Sequence, residues 1–360
     1  MNEQKEMTAR STSVGADVRQ SPNVSDNSIT EKNGKINPLE AISMSELYDT
    51  VYQSKPPLID GLLYPGVYLF VGAPKLGKSF LMAQLAYHIS TGTPLWDYPV
   101  RKSTVLYLAL EDDYRRLQER LYRMFDTEGA EDLFFSVSAG NLDSGLDDQL
   151  QGFMKDHPDT KLIIIDTLQK VREVGGDNYS YANDYQIIAH LKEFADTHNI
   201  CLLLVHHTRK QQSDDKFDMI SGTNGLLGAA DGAFLLQKEK RTSNAATLEI
   251  SGRDQQDQKL YLSRNPERLI WELEKAETEL WKEPPEPLLE EIAKHINADL
   301  PQWQGTPTEL VALLAIDIQP NALTKKLNVN AGRLFNEYGI RYENSRSHDG
   351  RKVSFQLVQA

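Results

Sequence analysis

The stretch VGAPKLGKSF, Val71–Phe80, decides the fold. It contains Gly72-x-x-x-x-Gly77-Lys78-Ser79, entered by the apolar run VYLFV and left by the helical run FLMAQLA. A strand, a loop and a helix in that order bring backbone N–H groups and a helix N-terminus around one point, where they cradle phosphate. Gly72, Ala73, Pro74, Lys75, Leu76, Gly77, Lys78, Ser79 and Phe80 are therefore the candidate nucleotide-binding segment. Lys78 is placed to reach the β and γ phosphates and Ser79 to ligate magnesium.

Outward from this loop, the chain alternates as a parallel sheet requires. Apolar runs VYLFVG, TVLYLALE, KLIIIDT and ICLLLVHH are separated by helical stretches FLMAQLAYHIS, YRRLQERLYRMF and YQIIAHLKEFADTH. The later segments GAFLLQ, ATLEISGRD, KLYLSR and RLIWEL are short and joined by polar turns, which suits antiparallel strands added at the sheet's edge. The expected fold is α/β: a mainly parallel sheet with antiparallel edge strands, followed by a small α+β domain.

The boundaries follow composition. Residues 1–41 are polar and lack a sustained apolar period, which predicts a disordered tail. SMSELYDTVYQ, 43–53, predicts a short amphipathic helix leading into a core that spans 42–276. The prolines of PPEP, within EKAETELWKEPPEPLLEE, mark a linker at 277–287, and residues 288–360 form the last unit.

Three further strand ends carry candidate chemistry. Asp166 ends LIIID, so its carboxylate emerges at the carboxyl edge of a buried strand, where open α/β sheets bind ligands, and it is the second candidate magnesium ligand. The residue after it is Thr167 and not an acid, so no water-activating glutamate stands there. Glu111, at the end of LYLALE, takes that place as the candidate general base. Asp112 and Asp113 read as an acidic pair at a helix N-terminus. His206 and His207 end CLLLVHH and are candidates for contact with the γ phosphate; without a third ligand at suitable spacing they do not make a zinc site. Cys201 reads as a buried small hydrophobe.

The combination GAPKLGKS, ALEDD, LIIIDT, VHHT and the late SGRD resembles the RecA-like ATPase superfamily, and within it the plasmid RepA-type hexameric replicative helicases. The resemblance covers Leu58 to Leu273. It implies ATP and Mg2+ as ligands, Glu111 as catalytic base, a strand-end histidine as phosphate sensor, and a late arginine reaching the neighbouring subunit's nucleotide. Arg253 in EISGRD is the candidate for that arginine, with Lys259 second. A homo-oligomer, hexameric in that group, is implied with it. REVGGDNYSYANDY, 172–185, and RKQQSDDKFDMISGTNG, 209–225, lie where such proteins carry channel-facing loops, which makes Arg209 and Lys210 candidate contacts to single-stranded DNA.

The last unit reads as helices EPLLEEIAKHINAD, TPTELVALLAI and PNALTKKLNVNAGRLFNEYGI followed by a hairpin turning at His348-Asp349-Gly350, and resembles a winged helix-turn-helix. Thr306, with Pro307 after it and Glu309 three residues on, is a helix-start signature. Lys325, Lys326, Arg333, Arg341, Arg346, Arg351 and Lys352 outweigh Glu337, Glu343 and Asp349. Of these cations Lys325, Lys326, Arg333, Arg346, Arg351 and Lys352 are the candidate duplex-DNA contacts.

The formal net charge of -13 excludes a uniformly basic surface but not this local patch. One cysteine in 360 residues excludes a disulfide framework, and the lack of a leader or a spanning apolar run points to a cytoplasmic protein with no membrane partner. Two functions fit: an ATP-hydrolysing DNA-dependent motor serving replication of a plasmid, phage or mobile element, or an ATP-gated DNA-binding regulator that switches assembly without unwinding.

Overall fold

The structure, a computed structural model, describes residues 41–52, 55–142, 144–172, 181–208, 224–238, 240, 242–253, 255–277, 284–347 and 350–358. The disordered tail foreseen for 1–41 falls almost wholly outside them. The chain divides into two units, Met1–Met44 and Ser45–Ala360, and both sheets lie in the second.

The apolar runs become β1 (Gly66–Gly72), β2 (Thr104–Ala109), β4 (Thr160–Asp166) and β5 (Cys201–His207). With β3 (Leu133–Ser136), β6 (Gly232–Gln237), β7 (Ala245–Gly252), β8 (Gln258–Arg264) and β9 (Trp271–Ala276) they form one sheet in the order β3-β2-β4-β5-β1-β6-β7-β8-β9. Every residue of β1 and β2 is buried, which explains runs without alternation: strands covered on both faces have no solvent side to mark.

Two apolar clusters cover the two faces. On one side α2 (Lys78–Thr91) and α3 (Tyr114–Phe125) pack Leu81, Met82, Ile89, Leu117 and Met124 against Phe70, Tyr107, Ile164 and Val205. On the other, α4 (Leu146–Asp156), α5 (Leu168–Val171), α6 (Tyr181–His198) and α7 (Asn224–Ala229) cover Leu69, Leu108, Ile163 and Leu204. This is the two-sided layering of an α/β fold.

Three details depart from the sequence reading. GAFLLQ, read as antiparallel, pairs parallel with β1 (Tyr68 with Gly232 through Gly72 with Leu236), and antiparallel pairing begins only at β7. The edge strand β3 was not foreseen. Its four residues LFFS are all half-exposed and too few to show a period. The leading helix α1, Met44–Asp49, is shorter than expected and none of its residues is buried.

The C-terminal unit consists of α8 (Pro287–His295), β10 (Gln302–Gly305), α9 (Pro307–Leu314), α10 (Pro320–Tyr338), β11 (Ile340–Ser347) and β12 (Gly350–Leu357). Leu289, Leu310, Leu323, Leu334, Tyr342 and Phe355 make its core. The start signature at Thr306 is a full capping box: Thr306 Oγ1 accepts from Glu309 N at 3.2 Å while Glu309 Oε2 accepts from Thr306 N at 2.7 Å. QWQG, which carries no strand signal, becomes β10 because β12 offers it an edge, with Trp303 opposite Phe355. The hairpin turn residues His348 and Asp349 lie outside the described residues.

Candidate nucleotide site

The four strands that carry the sequence candidates stand side by side in the order β2-β4-β5-β1, and all are parallel. Their carboxyl ends therefore share one edge of the sheet, and with strands spaced about 4.8 Å apart a lysine on the loop after β1 is within reach of its neighbours.

The loop's shape is set by backbone geometry. A Cβ on Gly72 would lie 2.7 Å from Leu236 O of β6, a clash with backbone that no rotamer relieves. Gly77 has φ 100° and caps α2 with no side-chain hydrogen bond. Its position in the left-handed region excludes most side chains, and the first turn of α2 keeps its N–H groups without a side-chain cap, the arrangement that favours an anion.

Lys78 is 6% exposed, and its Nζ donates to Gly72 O at 2.8 Å and Ala73 O at 3.1 Å. It also lies 3.1 Å from His207 Nδ1. Burial lowers its pKa to about 8, against the opposing pull of Asp166 and Glu111. His207 is likewise lowered, first by burial and then by the Lys78 charge, which keeps the imidazole neutral. His206 goes elsewhere: successive strand residues alternate, and it is buried on the face away from Lys78. Of the two histidines the structure brings only His207 to the site.

Asp166 is 6% exposed and accepts a hydrogen bond from Tyr107 Oη at 2.8 Å. Burial raises its pKa, while hydrogen bonds from Ser79 and Tyr107 pull it down. Ser79 and Asp166 thus meet, and a hydroxyl beside a carboxylate is a hard oxygen pair suited to Mg2+, an ion that takes one or two protein ligands and completes its shell with phosphate and water. Among the described residues no group of three or more His, Cys, Asp and Glu is disposed to hold a metal.

Glu111 is exposed at the rim, and its Oε1 accepts from Thr167 Oγ1 at 3.1 Å. It is near enough for its charge to act on Lys78, His207 and Asp166. Asp113 caps α3 through Arg116 N at 2.9 Å. Asp112 instead pairs with Arg120 at 2.5 Å and Arg116 at 3.3 Å.

Several residues at the loop escaped the sequence reading. The Trp271 side chain is fully buried and its Nε1 donates to Gly77 O at 3.3 Å, while Gln84 of α2 exchanges hydrogen bonds of 2.7 and 2.8 Å with the Trp271 backbone. Edge strand β9 is thereby tied to the loop. The Arg264 guanidinium sits 4.1 Å over the Phe80 ring and Arg120 5.0 Å from it. No local pattern in the sequence announces these contacts, because they join segments far apart in the chain.

Arg253 is exposed, and its Nη2 donates to Gly228 O at 2.9 Å. It follows Gly252, which pairs with Gly232 and so with Tyr68, four residues before the loop. Along a strand that is about 13 Å from the phosphate end, so Arg253 does not join Lys78 within one chain. Lys259 pairs with Glu277 at 3.4 Å.

Arg209 and Lys210 lie outside the described residues. In the C-terminal unit, Lys326 is 3.8 Å from Glu286, Arg351 3.4 Å from Asp49, and Arg333 donates to Glu337 at 2.8 Å and to Pro284 O at 3.2 Å. Lys352 is exposed and Lys325 half-buried. Arg346 lies opposite Arg351 in the hairpin register.

Residues 37–213 match the AAA domain family. The DNA repair protein RadA of Streptococcus pneumoniae (strain ATCC BAA-255 / R6) is 25% identical over 157 residues, 43% of this chain and 33% of the relative. The chain thus spans about a third of the length of that curated relative. Among solved structures, an isolated ATPase domain shares 16% identity at a TM-score of 0.48, covering 58% of this chain and 84% of that one. A DnaB-like replicative helicase, described with its interactions with primase, shares 18% identity at a TM-score of 0.47, covering 58% of each chain. No helix among the described residues is long and apolar enough to cross a membrane.

Proposed function

We propose that the chain is an ATP-hydrolysing, DNA-dependent motor of RecA-like type, active as a homo-oligomer. The observation that carries this reading is the convergence of Lys78, Ser79, Asp166, Glu111 and His207 at one edge of four parallel strands. Matches to a DNA repair protein and to the AAA domain family support it. In this reading 42–276 is the motor and 288–360 a winged helix-turn-helix that holds duplex DNA, in a replication system of a plasmid, phage or mobile element.

Each residue then has a task. The loop N–H groups and Lys78 bind the β and γ phosphates. Ser79 and Asp166 would hold Mg2+, which would supply positive charge against the phosphates. Glu111, held by Thr167, orients the attacking water and takes its proton. His207, neutral and in contact with Lys78, is placed to respond when the γ phosphate leaves. Arg264, stacked on Phe80 beside the loop, is a further cation placed near the bound nucleotide.

Arg253 acts across the subunit interface, which agrees with its distance from Lys78 in its own chain. Lys326, Arg333 and Arg351 exchange their present partners for DNA phosphates. For the exposed Lys326 that exchange is cheap, because exposed ion pairs contribute only about 0–1 kcal/mol each.

Mixing wild type with an Arg253→Ala chain tests the shared site. Turnover per wild-type chain is expected to fall as the mutant fraction rises, since each mutant silences a neighbour. A wild-type share that hydrolyses ATP at its full rate at every ratio contradicts hydrolysis between subunits.

A further inference from the structure

Tyr107 has no part in the reading above. It is fully buried on β2, yet it carries a hydroxyl, which in such a place needs a partner. Tyr107 Oη donates to Asp166 Oδ2 at 2.8 Å, and the Ser79 hydroxyl also hydrogen-bonds the phenol. The pairing follows from register. Ala109 stands opposite Asp166, so Tyr107 is two residues back on β2 and shares its face of the sheet. The Phe135 ring packs against it, with centroids 5.5 Å apart, and fixes the phenol from the outer side.

A carboxylate at a strand end has rotational freedom about its last bond, and with one oxygen bound to a rigid phenol that freedom is lost. The phenol brings no charge, so Asp166 keeps its own for a cation. We propose that Tyr107 is the positioning residue of the magnesium site, holding the Asp166 carboxylate in the orientation in which it meets Ser79 and a divalent ion. The inference rests on the proposed ATP site and adds to it the group that sets its response to magnesium. Residues that orient a metal ligand from behind contribute about 10–100-fold to metal affinity.

The test is a magnesium titration of nucleotide binding, read by a fluorescent ATP analogue, in wild type and in Tyr107→Phe. With chelator present the two chains are expected to bind the analogue equally, because the backbone N–H groups of the loop and Lys78 are untouched. The magnesium concentration at half-effect is expected to rise about ten-fold or more in Tyr107→Phe. Site-specific 4-aminophenylalanine at position 107, which restores a donor in the same place, is expected to bring it back towards the wild-type value. If Phe at 107 prevents folding, the amino-substituted chain is compared with 4-methylphenylalanine, which has the same shape and no donor. Equal magnesium midpoints in either comparison overturn the proposal while leaving the ATP site standing. A wild-type chain that binds no analogue with or without magnesium overturns the ATP site itself.

Discussion

Glu111→Gln is expected to bind ATP as tightly as wild type and to hydrolyse it about 10²–10⁴ times more slowly, the range that a positioned general base contributes. The substitution keeps shape and the acceptor for Thr167 Oγ1, now 3.1 Å from Glu111 Oε1, and removes only the basic carboxylate. Binding survives because Glu111 stands at the exposed rim and takes no part in holding the phosphates. The check is paired: equilibrium binding of a labelled nucleotide, then single-turnover hydrolysis. A Gln variant that hydrolyses ATP at the wild-type rate would return the base to be sought elsewhere on this edge.

Lys78→Ala is expected to lose nucleotide binding. Removing one partner of a buried, hydrogen-bonded charge pair costs about 2–5 kcal/mol, which corresponds to a loss of about 30- to 5,000-fold in affinity. The fold itself is expected to persist, since the ammonium is held in the free protein at the cost of desolvation, which lowers its pKa to about 8. That value also gives the wild type a pH signature. Phosphates favour the charged lysine, so its pKa is higher in the complex than in the free protein, and ATP binding takes up a proton above pH 8. Affinity is therefore full below about pH 8 and falls as pH rises through it, by up to ten-fold per unit. Isothermal titration of the wild type in buffers of different ionisation enthalpy would detect this proton uptake.

The candidate site was legible to the extent that it follows from strand ends. VYLFVG, TVLYLALE, KLIIIDT and ICLLLVHH are buried on both faces, so the sequence shows them as unbroken apolar runs whose last residues must reach the same edge. That same absence of alternation hid which histidine faces Lys78: with both faces apolar, no period of two distinguishes His206 from His207. The direction of β6 was illegible for a related reason. A short run after a polar segment pairs equally well either way, and only the position of β1 beside it decides.

The remaining elements depend on contacts that no local pattern carries. β3 and β10 are short and half-exposed, one an edge beside β2 and the other an edge beside β12, and each is a strand because its neighbour offers hydrogen bonds. Trp271 supports Gly77 across 194 residues of chain, and Tyr107 meets Asp166 across 59. In the sequence both look like ordinary strand aromatics. Composition signals were better at the helix starts, where Thr306 and Asp113 cap as their local chemistry dictates.

The most direct measurement is steady-state ATP turnover by the purified chain with no DNA, with single strands of arbitrary sequence and with duplex, at one fixed salt concentration because phosphate contacts weaken with salt. The account predicts magnesium-dependent turnover that single strands stimulate whatever their sequence. Turnover indifferent to every DNA, alongside tight binding to one duplex sequence, would contradict the motor and leave an ATP-gated regulator in its place.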